Sequence, residues 1–258
     1  VALTSRLLER PINLALVAPS AAGKNRAIDA ARELVPRECV HEQKAGSARA
    51  LIYAEDTFEH RVIVVAEADS IPDDGSPASA IRSLAEDNVM TYDVVEKDPQ
   101  SGELRTRHVI KLGPTGLITT STRSVSGQLG TRMLEVPMCD DEKQTRAVIR
   151  AHARSALPKK VAAPDPEPLL AVQRWLELGG ERRVVIPFAA TLGELVPVAA
   201  VRMRRDFRQL LMCVEAVALL HQCQRERMAT GEIIACLDDY GVARHLLAPI
   251  FQAITSEG

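Results

Sequence analysis

The chain has 258 residues, of which 46% are hydrophobic and 26% charged, and its formal net charge is -2. This length suffices for one good core and a smaller second one, and since no uninterrupted apolar run approaches about 18 residues, the sequence excludes a membrane-spanning helix. The charge balance excludes attraction to nucleic acid by the whole surface, so any such attraction would have to come from local patches. One Trp, three Tyr and four Phe are too few for a broad base-stacking platform.

The start of the chain and the spacing of its cysteines predict the kind of polypeptide and its redox compartment. Val1 is preceded by neither an initiator Met nor a signal-peptide pattern, which indicates a piece of a longer protein. The five cysteines are widely spaced and form no C-x-x-C pair. This usage predicts small buried apolar residues in a reducing cytoplasm, not disulfides or metal ligands.

A loop of small residues follows the first predicted strand, 12–17, and precedes a helix predicted over 26–34. The loop reads Ala18-Pro19-Ser20-Ala21-Ala22-Gly23-Lys24-Asn25. Small residues let backbone N–H groups point at a phosphate, the helix N-terminus adds a positive field, and Lys24 adds a full charge. Residues 19–25 are therefore predicted to bind a nucleoside triphosphate. An ordinary strand-turn-helix is the alternative, because Ala18 and Asn25 depart from the pattern G-x-x-x-x-G-K-[ST].

Further strand-like runs alternate with helical or loop segments, at 39–43, 61–67, 116–121 and 133–136. This alternation predicts an α/β fold with a parallel sheet covered by helices. A helix is predicted over 78–87. Two extended runs, 90–97 and 105–112, flank a polar loop with Pro99 and Gly102, and predict a β-hairpin inserted into the series.

The remaining sequence predicts a second, helical domain. A helix over 140–156 closes the first domain, 1–157. Residues 158–168 contain four prolines and no apolar period, which predicts a linker. The domain 169–258 is predicted to be mainly helical, with helices over 169–178, 198–224 and 239–254.

The strand at 61–67 ends on acidic residues. Hydrolysis of a γ-phosphate needs a carboxylate that positions or deprotonates water, and Glu67 is the candidate. Ala66 occupies the position where a Walker B motif carries its Asp. Mg²⁺ would therefore rely on phosphate oxygens, water, Asn25 and Asp69, which shares a strand face with Glu67. Acids that cap a strand end at the surface are the alternative.

Together these features resemble an AAA+ ATPase: the loop at 18–25, the acidic strand end at 66–69, the helix and hairpin at 78–112, and the polar strand end at 119–122. The hairpin ahead of the fourth strand is similar to the pre-sensor hairpin of MCM-like helicases and of the helicase part of mobile-element primase-helicase proteins. The resemblance implies an AAA+ P-loop NTPase core with a β-hairpin insertion and a helical lid. ATP and Mg²⁺ would be bound between the core and the lid.

The resemblance also implies roles for three residues outside the loop. Thr122 stands at the sensor-1 position, where the family favours Asn. Arg132, in Leu129-Gly130-Thr131-Arg132-Met133, matches an arginine finger that reaches the nucleotide of a neighbouring subunit in a homo-oligomeric ring. Arg205 matches the sensor-2 arginine, which would reach from the lid to the nucleotide of its own chain. Dispersed phosphoryl charge does call for arginines from outside the loop, although surface arginines are the alternative.

These features predict an ATP-hydrolysing motor that acts on DNA, a helicase of phage or mobile-element replication. The hairpin at 90–112 would contact the DNA backbone, but it holds acids as well as bases, so a ribbon for subunit contact is an alternative. Because Ala18, Asn25 and Ala66 depart from the active pattern, a non-hydrolysing nucleotide switch or scaffold is a second hypothesis. A protein-remodelling AAA+ ATPase is a third.

Overall fold

A parallel sheet of five strands lies at the centre of the protein, and helices flank it. The computed structural model describes residues 1–43, 49–68, 75–97, 102–125, 127–138, 141–157, 164–196 and 203–256. The strands of the sheet are β1 (Leu14–Val17), β2 (Val40–Gln43), β3 (Arg61–Val65), β6 (Thr115–Ser121) and β7 (Leu134–Pro137). Their spatial order is β2-β3-β6-β1-β7. The α/β class and the parallel sheet that the alternation predicts are confirmed.

Two further pairs of strands lie outside this sheet. The strands β4 (Val89–Lys97) and β5 (Leu104–Leu112) pair antiparallel, from Val89 opposite Leu112 to Lys97 opposite Leu104, and form a ribbon. The short strands β8 (Val184–Val185) and β9 (Ile233–Ile234) pair in parallel.

The helices follow the predicted order, with additions. They are α1 (Lys24–Arg32), α2 (Arg49–Tyr53), α3 (Ser76–Asp87), α4 (Gly127–Gly130), α5 (Glu142–Ser155), α6 (Glu167–Gly179), α7 (Ala189–Leu195), α8 (Met203–Leu220) and α9 (Leu237–Ser256). Short 3-10 turns cover Thr4–Leu7, Arg37–Cys39 and Gln222–Gln224. The helices α2, α4 and α7 and the β8–β9 pair have no counterpart in the prediction. β1 begins two residues later than predicted, because the side-chain Oδ1 of Asn13 accepts the Leu117 N–H at 2.9 Å.

Both faces of the sheet are buried, as a parallel sheet requires. In β3, Val62 and Val64 face α1, where Ile28 covers them. Ile63 and Val65 face the other side, in a cluster with residues of α2, α3 and the base of the ribbon. This alternation follows from the two-residue period of a strand. It explains why the run 61–65 is apolar throughout.

A further hydrophobic cluster joins the two halves of the chain. It contains Leu7, Leu8 and Ile12 from the N-terminal segment together with Leu176 of α6 and buried residues of α8 and α9. Residues before β1 therefore pack with the helices that follow the proline-rich segment.

The cysteines depart in part from the expectation. Cys39 and Cys213 are buried, and burial raises the pKa of each thiol to about 11, so both stay protonated. Cys236 is half-buried and Cys139 lies outside the described residues. The expectation of burial is wrong for Cys223, which is exposed, because the 3-10 turn after α8 points the neighbouring Gln222 inward instead.

A buried charge network fastens α6 to the N-terminal segment. The side chain of Arg6 is fully buried; its Nη1 donates to Gln173 Oε1 at 2.9 Å, and its Nη2 forms an ion pair with Glu177 Oε2 at 3.3 Å. The other oxygen of Glu177 accepts from Arg61 Nη1 at 2.8 Å. Burial alone would raise the pKa of Glu177, but the hydrogen bonds from Arg61, Cys39 and Arg6 hold it below its usual value.

We expect Glu177→Ala to lower the free energy of unfolding by about 3 kcal/mol, because it leaves the buried Arg6 charge without its counter-ion. Urea denaturation near neutral pH measures this. Glu167→Ala, in the same helix, is the control: it removes an exposed ion pair with Arg174 and should cost less than about 1 kcal/mol.

The cost of Glu177→Ala should also depend on pH. Since the folded pKa of Glu177 lies below the usual 4.5, its contribution is present above pH 4.5 and is lost as pH falls through the folded pKa. The difference in free energy of unfolding between Glu177→Ala and Glu167→Ala should therefore become smaller at acidic pH. If both variants lower the free energy of unfolding equally at neutral pH, the network does not stabilise the fold.

Candidate active site

The loop after β1 passes through the left-handed region of backbone conformation at two positions. Ala21 has φ 67° and Gly23 has φ 86°; Gly23 is the N-cap of α1, which begins at Lys24. A residue with a Cβ pays about 1 kcal/mol or more for this conformation, so only Gly23 adopts it without cost. The first N–H groups of α1 have no partner within the helix, and such an end attracts anions.

Lys24 bends back over the loop. Its Nζ donates to the carbonyl oxygens of Ala18 at 2.5 Å and Pro19 at 2.9 Å. An ammonium group carries three donors, so two bonds within the loop leave one proton for another acceptor. The loop therefore carries a fixed positive charge next to the N-terminus of α1.

The loop faces the carboxyl ends of β3 and β6 across a cavity of about 370 Å³. Residues 20–26 line one side. The other side is lined by Thr120 and Ser121 at the end of β6 and by the residues that follow the strands, Ala66, Glu67 and Thr122. The structure thus brings Lys24, Asn25, Glu67 and Thr122 to one cavity. Pro19 takes part through its carbonyl bond to Lys24.

Two hydrogen bonds hold the cavity walls together. The Thr120 hydroxyl donates to the carbonyl oxygen of Ala66, which ties the end of β6 to the end of β3. The Ala18 N–H donates to the carbonyl oxygen of Ser121 at 3.2 Å, which ties the start of the loop to β6. Asn25, Glu67 and Thr122 are exposed at the cavity surface.

The oxygen donors of this cavity suit Mg²⁺ only in part. Asn25 and Glu67 line the cavity and carry side-chain oxygens that could bind the ion, whereas Asp69 lies outside the described residues. In the described ranges, no cluster of three or more His, Cys, Asp or Glu residues could hold a metal ion. Mg²⁺ usually binds through one or two protein oxygens together with phosphates and water. The donor set fits that mode of binding.

Arg132 and Arg205 lie at the opposite end of the sheet. Both line a second cavity of about 370 Å³ at the amino ends of the strands, together with Asn13, which precedes β1. The five steps from Asn13 to Ala18 span about 16 Å of extended chain. The structure therefore does not bring Arg205 to the loop of its own chain, where the resemblance to AAA+ ATPases would place it. Arg132 forms an ion pair with Glu86 at the end of α3.

This second cavity concentrates positive charge. Its arginines are Arg10, Arg132, Arg204, Arg205 and Arg208. Of these five, the sequence predicted a functional role for Arg132 and Arg205. The signal for Arg10 is its place just before β1, because residues that precede parallel strands meet at one edge of the sheet.

Glu215 lies two to three turns along α8 from Arg204, Arg205 and Arg208, in a strongly desolvated position. Burial raises the pKa of Glu215 to about 7, and the positive charge of Arg10 opposes the rise. The charge next to the arginine cavity therefore changes near neutral pH.

A third cavity, of about 380 Å³, is mainly apolar. Leu16 and Ile118 line it from the sheet, Ala27 and Ala31 from α1, and Val172 from α6. Ile118 and Thr120 lie on the same face of β6, about 7 Å apart. The apolar cavity therefore adjoins the loop cavity on one face of the sheet.

The ribbon uses its cations for internal contacts. Lys111 donates to the carbonyl oxygens of Ala54 and Asp56, and Arg107 forms an ion pair with Glu96 at 3.2 Å. The tip residues 98–101 lie outside the described ranges. The described part of the ribbon thus presents little unpaired positive charge.

Comparison with known proteins adds no relatives: no protein-family model matches the chain, and no curated protein sequence matches it. Across the described part of the chain, each helix is too short or too polar to cross a membrane.

Proposed function

We propose that the protein is an ATP-hydrolysing motor of the AAA+ type that acts on DNA. The observation that carries the proposal is the cavity at the carboxyl ends of β3 and β6, where Lys24, Glu67 and Thr122 converge. Phosphoryl transfer needs a cation on the transferred phosphate, a group that orients water and a polar sensor. The strand order β2-β3-β6-β1-β7 and the ribbon inserted between α3 and β6 support the AAA+ assignment.

In this proposal Lys24 exchanges its bonds to Ala18 and Pro19 for the β- and γ-phosphate oxygens. Mg²⁺ would neutralise the developing phosphate charge, with Asn25 as its ligand from the chain. Glu67 orients and deprotonates the attacking water. Thr122 donates a hydrogen bond to the γ-phosphate or to that water.

The nucleotide base would occupy the apolar cavity next to the loop. Its polar residues are already engaged, because Gln173 Nε2 donates to Thr4 Oγ1 at 2.8 Å and Gln173 Oε1 accepts from Arg6. The cavity would therefore select a base by its shape and apolar surface, not by side-chain hydrogen bonds.

Arg132 and Arg205 would act on the nucleotide of a neighbouring subunit. About 16 Å of sheet separates their cavity from the loop of their own chain, whereas a head-to-tail neighbour could present its loop to them. Such heterologous contacts close into rings. This assigns Arg205 to the same subunit interface as Arg132.

A non-hydrolysing nucleotide switch is the second candidate, and Ala66 favours it. The methyl group of Ala66 stands where a metal-binding carboxylate would be, and its carbonyl oxygen is engaged by Thr120. With Asn25 in place of a hydroxyl residue, the chain offers few ligands for a catalytic Mg²⁺.

We expect Lys24→Ala to weaken Mg-ATP binding at least about tenfold, because a charge-assisted hydrogen bond to phosphate contributes about 1.5–3 kcal/mol. Isothermal titration calorimetry measures the affinity. Lys143→Ala, which removes an exposed lysine of α5, should leave it unchanged. Tripolyphosphate, which lacks the base, should bind wild type more weakly than ATP does. Lys24→Ala should reduce its affinity by the same factor as that of ATP. Equal ATP affinity of Lys24→Ala and wild type would refute the assignment of the loop.

Glu67→Gln should bind ATP normally and hydrolyse it about 100-fold more slowly, in the range expected when a general base is lost. Steady-state phosphate release, measured with and without DNA, gives the rate. Wild-type protein that binds ATP yet releases no phosphate under any of these conditions would favour the switch over the motor.

Arg132→Ala and Arg205→Ala should each bind ATP but hydrolyse it poorly. Each should regain activity when mixed with Lys24→Ala subunits, because the arginine variants supply an intact loop and the Lys24→Ala subunits supply the arginines. Glu86→Gln is the control: it removes the ion-pair partner of Arg132 but keeps the guanidinium, so hydrolysis should persist. If an oligomeric mixture is no more active than its separate parts, the arginines do not act between subunits.

A further inference from the structure

The helix α5 carries a stripe of positive charge on a fully exposed surface. Every residue from Glu142 to Ser155 is exposed. Its cations are Lys143, Arg146, Arg150 and Arg154. Residues three or four apart share one helix face, and at 3.6 residues per turn these four fall within roughly 80° of arc. We call them the α5 stripe; it is about 16 Å long.

The charges of the α5 stripe are available to a partner. Among the described residues, Lys143, Arg150 and Arg154 have no ion-pair partner. Arg146 pairs with Glu142 of the same helix, an exposed pair that contributes little and is readily exchanged. The ribbon differs, because its Lys111 and Arg107 are engaged in internal contacts.

We propose that the α5 stripe binds the phosphate backbone of a nucleic acid strand. This rests on the proposed function in taking nucleic acid as the partner. The chain carries a net charge of -2, so attraction to a polyanion requires a local patch, and this stripe is one. Three of its four cations are arginines, whose planar forks match phosphate oxygens. The helix contains no Phe, Tyr or Trp, and its one ring, His152, lies outside the α5 stripe, so contact would be to the backbone and independent of base sequence.

The rest of α5 argues against a membrane as the partner. Its large aliphatic residues, Val148 and Ile149, are 44% and 63% exposed, but they are neighbours in sequence and point about 100° apart. The other residues of that arc are small or polar. An interfacial helix needs a continuous apolar face, which α5 lacks.

The test is fluorescence anisotropy with a labelled single-stranded oligothymidylate and a labelled duplex, in the absence of nucleotide. Arg150→Gln combined with Arg154→Gln should raise the Kd for a strand at least about tenfold at low salt. The slope of log Kd against log salt should fall by about 1.4, the value expected when two single-strand phosphate contacts are lost. The control, Gln144→Glu with Thr145→Glu, makes the same change in net charge on the other side of α5 and should stay within about twofold of wild type.

Several results would overturn the inference: wild-type affinity and slope in the double arginine variant, equal weakening in the control, or no binding of any strand by wild type. If the double arginine variant keeps oligonucleotide binding but loses binding to polyglutamate, the partner of the α5 stripe is an acidic protein. If it loses binding to anionic vesicles instead, the partner is a membrane. Wild type that binds the oligonucleotide but not ATP would contradict the proposed ATPase alone. Wild type that binds ATP but no oligonucleotide would contradict this inference and the DNA part of the proposed function, and would leave the ATPase assignment intact. Wild type that binds both, together with unchanged oligonucleotide binding in the double arginine variant, would contradict this inference alone.

Discussion

The fully buried charge of Arg6 is the constraint on which the arrangement of the two halves depends. A guanidinium cannot lose its proton in a protein, so its burial is tolerable only with hydrogen-bonding partners and a counter-ion in place. Gln173 and Glu177 of α6 meet that need, and Glu177 in turn holds Arg61 at the start of β3. Because these partners must stay in register, α6 is fixed against the N-terminal segment and the sheet. The apolar cavity between α1 and α6 exists only while this arrangement holds.

The parallel direction of the sheet separates two chemistries. The loop, Glu67 and Thr122 follow the carboxyl ends of strands and lie at one edge of the sheet. The arginines around Arg132 lie at the opposite edge. One edge suits a phosphate chain, and the other suits a dispersed negative charge. Within one molecule the two edges cannot meet, because the length of β1 lies between them. In the proposed head-to-tail association such edges would face each other, and Arg205 could then act without approaching its own loop.

Local patterns predicted what local interactions determine. The apolar run before Ala18, the left-handed Gly23 and the strand end at Glu67 place the loop cavity, because carboxyl ends of parallel strands share an edge. Long-range pairings leave no pattern in the local sequence. Arg6 and Glu177 are 171 residues apart, and the residues around one of them do not predict the other as its partner. The position of Arg205 depends on how α8 packs against residues before β1. The exposure of Cys223 depends on the direction in which one 3-10 turn faces, which composition does not encode.

The departures at Ala66 and Asn25 affect the metal and the water unequally. Replacing a metal-binding carboxylate by Ala66 removes a Mg²⁺ ligand, but nucleotide phosphates supply most Mg²⁺ ligands in such sites, so the ion can still arrive with the nucleotide. Orientation of water has no comparable substitute, and its candidate, Glu67, is retained in the cavity beside Thr122. A chain that only bound nucleotide would still need Lys24 for the phosphates, but it would not need a carboxylate that orients water. The proposed motor therefore depends on Glu67 for the water, whereas the alternative, a switch that only binds nucleotide, does not.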